Sequence, residues 1–277
     1  MSWAQTGFND ESSRTGRAPL NFEIVPGDAS CPYVVHVPHS STTIPHDVRA
    51  QLLLDDDALA AELRQMTDAR TAELASLAAA SVRPRPWLFV NGLSRLVVDP
   101  ERLPDEHEVM ADVGMGAVYT RTSDGGVLRE DDQQVRDSLL SRFFRPYAEA
   151  MADLLDERIR ATGQAIVVDL HSYPVQALPY ERYQDARRPA VCVGVDFDHT
   201  PDALVQRVSS ACAVVGDVAV NQPFIGSYVP LRHFGRERNV TSVMLDLRRD
   251  TYLRADGGMD LAGAGRVRQA LATILGG

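Results

Sequence analysis

Seven short apolar runs, rich in Val and Ile, recur along the chain, and most are continuous rather than alternating with polar residues. A continuous apolar run of this length predicts a strand that is buried on both faces of a sheet. The runs cover residues 33–37, 87–90, 96–98, 165–170, 190–195, 218–220 and 240–245.

Helical patterns separate these runs. Apolar residues recur every three or four positions over 57–80 and 133–160, and two further helices are expected at 201–215 and 261–275. Strands that alternate with helices indicate an α/β fold, here a single three-layer α/β/α domain over residues 21–277 around a mixed, mostly parallel sheet. Residues 1–20 lack periodicity and are expected to form a flexible arm.

The cationic side chains exclude several kinds of chemistry. All 28 basic residues among the 277 are Arg and none is Lys, so Schiff-base catalysis, a Walker-type phosphate loop and a lysine general base are excluded. With 38 acidic residues the net charge is -10, which opposes a broad nucleic-acid surface but leaves room for a local arginine pocket for a small anion.

Compartment and cysteine chemistry follow from the same composition. No apolar run reaches the length of a membrane helix, and residues 1–20 contain no secretory h-region, so a cytoplasmic location is expected. Cys31, Cys192 and Cys212 lack metal-site or disulfide-framework spacing, and we expect them to be reduced and structural.

Three polar positions directly follow apolar runs, where open α/β sheets gather ligands. His39 and His171 lie at the ends of two such runs and Asp246 at the end of a third. Two histidines with nearby carboxylates suit zinc with three protein ligands and one open position, although each histidine taken singly also fits a hydrogen-bonded structural role. A nucleophile at Ser40, Ser41 or Ser172 is the alternative, but no Gly-x-Ser-x-Gly elbow surrounds any of them.

Other polar residues have less specific interpretations. His36 alternates with valines and is expected in the core or behind a ligand, whereas polar surroundings predict a surface role for most of a second group, His46, His107, His199 and His233. Residues 91–102 hold two arginines, which suit either carboxylate binding or a surface ion-pair cluster. The loop 221–235 is expected either to wall a pocket or simply to connect two elements.

Taken in order, several short blocks resemble the N-formylglutamate amidohydrolase family over about residues 33–253. The blocks are PHS at 38–40, TD at 67–68, SRLVVDPER at 94–102, YTRTSDG at 119–125, RPY at 145–147, LHS at 170–172, NQPFIG at 221–226 and DLRR at 246–249, followed by Tyr252. Residues 98–102, 166–173 and 242–248 more distantly resemble zinc carboxypeptidases. The resemblance implies a zinc-carboxypeptidase-like (phosphorylase/hydrolase-like) fold.

The resemblance further implies an amidohydrolase with one zinc ion per chain. It makes His39, His171 and Asp68 the metal ligands, with Asp99 orienting a ligand histidine. Zinc-activated water would attack the acyl carbon, and Asp246 would pass the proton to the leaving amine. The residues implied in binding the substrate are Arg102, Arg95, Arg121 and Tyr228.

An N-acyl amino acid is the substrate class that the resemblance implies, with N-formyl-L-glutamate as the leading candidate. Another N-acyl metabolite or a peptide is the nearest alternative. A non-catalytic protein that keeps the arginine pocket is a second class.

The sequence departs from the two family patterns at three positions, and at a fourth, Asp68, helical phase disagrees with the family pattern. Thr42 stands where the carboxypeptidase His-x-x-Glu motif has its glutamate, and helical phase predicts that Asp68 faces solvent. Glu101 occupies a position where asparagine is usual, and Asp246 one where glutamate is usual.

Overall fold

One mixed seven-stranded sheet, in the order β1-β3-β2-β4-β7-β5-β6, organises the chain in a computed structural model that describes residues 21–276. The predicted arm at 1–20 lies outside the described residues. The strands are β1 (Phe22–Val25), β2 (Tyr33–Val37), β3 (Trp87–Asn91), β4 (Ala165–Tyr173), β5 (Val191–Gly194), β6 (Val218–Val220) and β7 (Val240–Arg248).

Four adjacent strands in the middle of the sheet run parallel. β2 pairs with β3 and β4, and β4 pairs with β7, all in parallel, whereas β1 and β5 join β3 and β7 in antiparallel fashion. β5 and β6 are parallel to each other. The prediction of a mixed, mostly parallel sheet is therefore confirmed.

Helices cover both faces of the sheet, as predicted from the continuous apolar runs. They are α1 (His46–Arg49), α2 (Asp56–Met66), α3 (Thr71–Ser81), α4 (Gln133–Leu139), α5 (Arg145–Thr162), α6 (Asp202–Cys212) and α7 (Leu261–Leu275). α3, α6 and α7 pack on one face, where Val168 of β4 is buried, and α5 packs on the other, where Val167 is buried. The α/β/α fold class is confirmed.

The helix predicted over 57–80 is wrong as one continuous element. α2 ends at Met66, α3 begins at Thr71, and Arg70 between them adopts a left-handed conformation with φ of 67°. Long-range hydrogen bonds hold this joint open, because the Asp68 N–H donates to the His39 carbonyl (2.9 Å) and the Tyr252 hydroxyl donates to the Ala69 carbonyl (2.7 Å).

One strand prediction is wrong, and one strand of the sheet was not predicted. Residues 96–98 form a turn rather than a strand, because their apolar side chains are buried in loop clusters beside the sheet. β1 was not predicted, since this short edge strand is only partly buried and carries a weak apolar pattern. The helix predicted over 133–160 is present, with a π-helical turn at Leu140–Phe144 between α4 and α5.

The three cysteines are buried and free, as predicted. None of the helices within residues 21–276 has the length and apolar character needed to cross a bilayer.

Leu271 on α7 tests this packing, because its side chain is 1% exposed in the core between α7 and the sheet. Leu271→Ala should lower the free energy of unfolding by about 2–5 kcal/mol, since it removes buried methyl groups and leaves a cavity. Urea denaturation measures the change. Leu261→Ala is the matched control on the same helix: its side chain is 82% exposed, and we expect a change within about 0.5 kcal/mol.

Candidate active site

The carboxyl ends of β2, β4 and β7 meet at one edge of the sheet, and they carry the three polar residues predicted for the site. His39 follows β2, and His171 lies near the end of β4. Asp246 on β7 lies opposite His171, because β4 and β7 pair in parallel. All three are buried and line a cavity of about 360 Å³. This volume is in the range of small-molecule sites.

Asp68 joins the two histidines from the joint between α2 and α3. The helical-phase expectation that it faces solvent is wrong: the side chain is 2% exposed, because the helix stops before it and the chain turns inward. Its backbone is tied to His39 on one side and to the Thr71 hydroxyl on the other.

Three potential ligand atoms converge at this point. His39 Nδ1 lies 3.3 Å from His171 Nδ1, and Asp68 Oδ2 lies 3.6 Å and 3.1 Å from the two nitrogens respectively. Ligands at zinc-like bond lengths in a tetrahedron lie about 3.3 Å apart. The three side chains therefore fit one face of a tetrahedral metal site, and residues from three chain segments supply it.

The opposite ring nitrogens of the two histidines face carboxylates. His39 Nε2 lies 2.9 Å from Asp99 Oδ1, while His171 Nε2 lies 3.1 Å from Asp169 Oδ1 and 3.2 Å from Glu101 Oε2. A carboxylate at Nε2 favours the tautomer that leaves Nδ1 with a free lone pair. His39 Nε2 makes such a hydrogen bond, so the lone pair of its Nδ1 faces Asp68. His171 Nε2 makes no hydrogen bond, so its two carboxylate neighbours act on that ring through charge.

The pKa shifts of His171 and Asp68 also favour positive charge at this point. Burial lowers the pKa of His171, but the carboxylates of Glu101 and Asp169 outweigh burial and hold that pKa well above its usual range. Burial raises the pKa of Asp68, but hydrogen bonds from His171 and His39 hold it well below its usual range. The cluster thus stabilises positive charge, which a bound cation supplies by displacing the histidine protons.

The formal charges of the side chains around the cavity are also unbalanced. Within the described residues the lining contains five carboxylates and three guanidinium groups. Counted with neutral histidines and all five acids ionised, the lining carries two negative charges in excess, before the raised pKa of Asp246 is considered.

Asp99 is the most enclosed of the carboxylates near the histidines, with a fully buried side chain. Arg95 donates to its Oδ2 from Nη2 at 2.6 Å, and the Tyr119 hydroxyl donates to the same oxygen. Burial raises the pKa of Asp99, but Arg95 and His39 hold it well below its usual range. Asp99 therefore stays ionised and fixes the His39 ring.

The three arginines predicted to bind the substrate occupy different environments. Arg95 lines the cavity, but Asp99 and the Tyr119 hydroxyl engage its donors. Arg102 also lines the cavity, and its guanidinium makes no hydrogen bond within residues 21–276, its nearest acids being Asp99 at 3.9 Å and Glu108 at 4.0 Å. Arg102 is thus free to bind a carboxylate.

Arg121 lies outside the cavity, contrary to the prediction that it binds the substrate. It is exposed, pairs across the Asp124-Gly125-Gly126 turn with Val127 and does not line the cavity. We therefore do not include Arg121 in the candidate site.

Asp246 lacks a hydrogen-bond partner at its buried Oδ1 atom. Burial raises the pKa of Asp246 to about 8, a nearby charged His171 lowers it, and Asp68 raises it further. An unpaired buried carboxyl beside a cavity is suited to proton transfer.

The loop 221–235 walls the cavity, which decides between the two interpretations given above. Phe224, Ile225, Gly226, Ser227 and Tyr228 line it. The Tyr228 ring stacks on His36 at a centroid distance of 4.5 Å, and its N–H donates to Asp169 Oδ2 at 3.2 Å.

Sequence reasoning assigned no role to two supporting residues, Tyr147 and Arg249. His36, buried in β2 as expected, contacts Asp169 (2.9 Å) and the Tyr147 hydroxyl (2.6 Å), which connects α5 to β4. Arg249 donates to the Arg64 and Gln65 carbonyls at the end of α2, and its Nη2 lies 3.7 Å from Asp68 Oδ1. The DLRR block was the available signal for Arg249.

The remaining histidines are either exposed or hydrogen-bonded away from the cavity, and the serines do not pair with histidines within the described residues. His46 and His107 are exposed as predicted, but the surface role is wrong for His199 and His233, because both are buried and hydrogen-bonded, to the Val240 carbonyl and to Asp156. Within the described residues, no serine hydroxyl bonds to a histidine, so the serine-nucleophile alternative gains no support.

Comparisons with known proteins agree with this geometry. A family model described as N-formylglutamate amidohydrolase matches residues 31–253. The structure of N-formylglutamate amidohydrolase from Ralstonia eutropha JMP134 is similar with a TM-score of 0.74 and 19% identity, covering 93% of this chain and 96% of that chain. A gene product of Agrobacterium tumefaciens gives a TM-score of 0.68 at 19% identity, covering 93% and 95%. No curated protein sequence matches the chain significantly.

Removal of any one of the three converging side chains should abolish metal binding. For His39→Ala, His171→Ala and Asp68→Ala we expect the zinc content of the purified protein to fall from about one ion per chain to nearly none, because solvent replaces an inner ligand poorly. Elemental analysis measures it, with His46→Ala as the exposed control. Full zinc occupancy in any of the three variants would refute that ligand assignment.

Asp99→Asn should weaken zinc binding by about 10- to 100-fold while leaving the three ligands in place, because it removes the carboxylate that orients His39. Competition with a chelator gives the dissociation constant. Asp112→Asn, at an exposed acid, is the control. An unchanged constant in Asp99→Asn would mean that Asp99 stabilises the fold alone.

Proposed function

Since the chain belongs to the N-formylglutamate amidohydrolase family, we propose that it is a zinc-dependent hydrolase of the amide bond of an N-acyl amino acid. The leading substrate is N-formyl-L-glutamate, cleaved to formate and L-glutamate. The observation that carries the proposal is the convergence of His39, His171 and Asp68 in one cavity with the unpaired Asp246 and the free Arg102.

His39, His171 and Asp68 would hold the zinc ion. When bound there, zinc supplies a Lewis acid that polarises the scissile carbonyl and lowers the pKa of a water molecule. Asp99 hydrogen-bonds to His39 Nε2 and keeps that ring in the binding tautomer, Asp169 lies 3.1 Å from His171 Nε2, and Arg249 lies against the other oxygen of Asp68.

Asp246 accepts a proton from the attacking water as the oxygen bonds to the acyl carbon. It then returns the proton to the amine nitrogen as the C–N bond breaks, so the products are the free acid and the amino acid. A cation held by the neighbouring donors would lower the pKa of Asp246 from about 8, which would make the carboxylate available near neutral pH.

Arg102 binds the carboxylate of the amino acid. Its planar fork matches a carboxylate with two parallel hydrogen bonds, and no described side chain competes for those donors. Tyr228 closes the same side of the cavity with its ring.

Formate release from N-formyl-L-glutamate by the zinc-loaded protein is the direct test of this function. Activity that disappears with chelator and returns with zinc supports the proposal. No hydrolysis of any N-formyl or N-acetyl amino acid by a protein with full zinc occupancy would refute it.

Asp246→Asn should lower kcat by about 10²- to 10⁴-fold at unchanged zinc content, because the amide keeps the shape of the carboxylate but cannot take the proton. Asp246→Glu is the companion variant, and we expect it to keep or raise activity. A near-normal kcat in Asp246→Asn would move the general base to another carboxylate, and a loss of zinc would make Asp246 a ligand.

Arg102→Lys should lower kcat/KM for a carboxylate substrate by about 10- to 100-fold, mainly through KM, because lysine keeps the charge and loses the two-pronged hydrogen bond. Arg121→Lys is the matched control, since Arg121 lies outside the cavity, and its kinetics should be unchanged. Equal kinetics in the two variants would contradict the role of Arg102.

A further inference from the structure

Tyr180 lines the candidate active cavity and has no part in the reaction proposed above. It lies in the segment 174–190, which connects β4 to β5. Its partly buried ring packs against the apolar cluster that contains Met66 and Leu178, two other residues of the cavity wall. The backbone beside it is fixed as well, because the Leu178 N–H donates to Glu181 Oε1 at 2.9 Å. The Tyr180 ring is therefore held at the cavity wall.

Three tyrosines line the cavity, and they differ in what their hydroxyl groups bind. The Tyr173 hydroxyl donates to the Pro189 carbonyl. The hydroxyls of Tyr180 and Tyr228 make no hydrogen bond within residues 21–276, and neither oxygen is among the unpaired side-chain atoms that are fully covered there. Both hydroxyls are therefore accessible donors for a substrate.

The charges nearby distinguish these two hydroxyls. Burial raises the pKa of Tyr228, and two neighbouring carboxylates raise it further. Burial also raises the pKa of Tyr180, but Arg95 and Arg102 act in the opposite direction and only partly offset it. The Tyr180 phenol thus stays protonated at neutral pH, and two cations next to it favour an anionic acceptor.

The acids near Tyr180 already have partners. Arg188 donates to both oxygens of Glu181, and the two ligand histidines lie against Asp68. Glu101 Oε2 lies 3.2 Å from the ring of one of those histidines. These carboxylates leave the Tyr180 hydroxyl free for a group that enters the cavity.

N-formyl-L-glutamate would bring two carboxylates into the cavity, and one of the three guanidinium groups that line it within the described residues is free to meet them. Arg102 is that group. Arg95 already donates to Asp99, and Arg249 donates to the carbonyls at the end of α2. The second carboxylate therefore requires a neutral donor, which a tyrosine hydroxyl supplies.

We infer that the Tyr180 hydroxyl donates a hydrogen bond to the side-chain carboxylate of N-formyl-L-glutamate while Arg102 holds the other carboxylate. This inference rests on the proposed function and makes Tyr180 a determinant of specificity. A hydrogen bond to an ionised acceptor is stronger than one between neutral groups. An N-formyl amino acid that lacks the second carboxylate leaves the hydroxyl without this acceptor, so the enzyme discriminates against it.

The test compares N-formyl-L-glutamate with N-formyl-L-norvaline, whose side chain ends in a methyl group instead of a carboxylate. For the zinc-loaded wild type, kcat/KM should be at least about tenfold higher for the glutamate substrate. Tyr180→Phe keeps the ring and removes only the hydroxyl, so it should lower kcat/KM for this substrate by about 10- to 100-fold, mainly through KM. The norvaline substrate should stay within about twofold. Equal loss for both substrates, or no preference in the wild type, would overturn the inference.

Tyr183→Phe is the matched control on the same segment. The Tyr183 side chain is 61% exposed and does not line the cavity, so its loss of a hydroxyl should leave the kinetics of both substrates unchanged. A similar fall in kcat/KM for the glutamate substrate in both variants would assign the effect to the segment as a whole and contradict the role of the Tyr180 hydroxyl.

Calorimetric binding of the product L-glutamate to the zinc-loaded protein separates this inference from the proposed function. If no N-formyl amino acid is hydrolysed, the function fails, but L-glutamate binding that weakens in Tyr180→Phe still supports the hydroxyl as a carboxylate donor. L-glutamate that binds both proteins equally, or neither, overturns the inference. Hydrolysis of N-formyl-L-glutamate at the same kcat/KM in Tyr180→Phe leaves the function intact and refutes the role of Tyr180.

Discussion

Parallel pairing of β2, β4 and β7 is the constraint on which the candidate site depends. Parallel neighbours present their carboxyl ends at one edge, so residues more than 200 positions apart in sequence, His39 and Asp246, line the same cavity. The register of β4 with β7 sets His171 opposite Asp246. A shift of one residue in that register would turn every side chain of the strand to the other face of the sheet and separate the two groups.

Excess buried acid gives the site its chemical character. The buried Asp68, Asp99 and Asp169 and the partly buried Glu101 surround two imidazole rings. Isolated carboxylates are costly to bury, and arginine neutralises only Asp99 closely. Family membership indicates a hydrolase, and the charge pattern supports the proposal that it works with a divalent cation.

Local sequence patterns predicted most of the sheet and the helices that cover it. Continuous apolar runs identify buried strands because burial on both faces leaves no place for polar residues, and six of the seven predicted strands are present. The run at 96–98 failed because buried loops are apolar too. His39, His171 and Asp246 could be identified because each follows such a run.

Features that depend on contacts distant in sequence could not be predicted from local patterns. The joint at 67–70 is held by His39 and by Tyr252, so no periodicity of the segment itself reveals that Asp68 turns inward. Whether Arg121 reaches the cavity depends on the turn that contains it. Whether the Arg102 guanidinium is free depends on which groups the neighbouring acids bind. For Asp68 the family resemblance pointed inward where helical phase pointed to solvent.

The joint at Asp68 also has a consequence for how the protein would respond to loss of a metal ion. A cation on His39, Asp68 and His171 would act as a cross-link between two strand ends and an interhelical turn, closing loops of very different length. His171 sits within a strand that is paired on both sides, whereas Asp68 is tied by a few hydrogen bonds. Removing the cation would therefore loosen the turn between α2 and α3 first and leave the sheet intact. Local opening at one ligand, rather than global unfolding, would then set the rate of metal exchange.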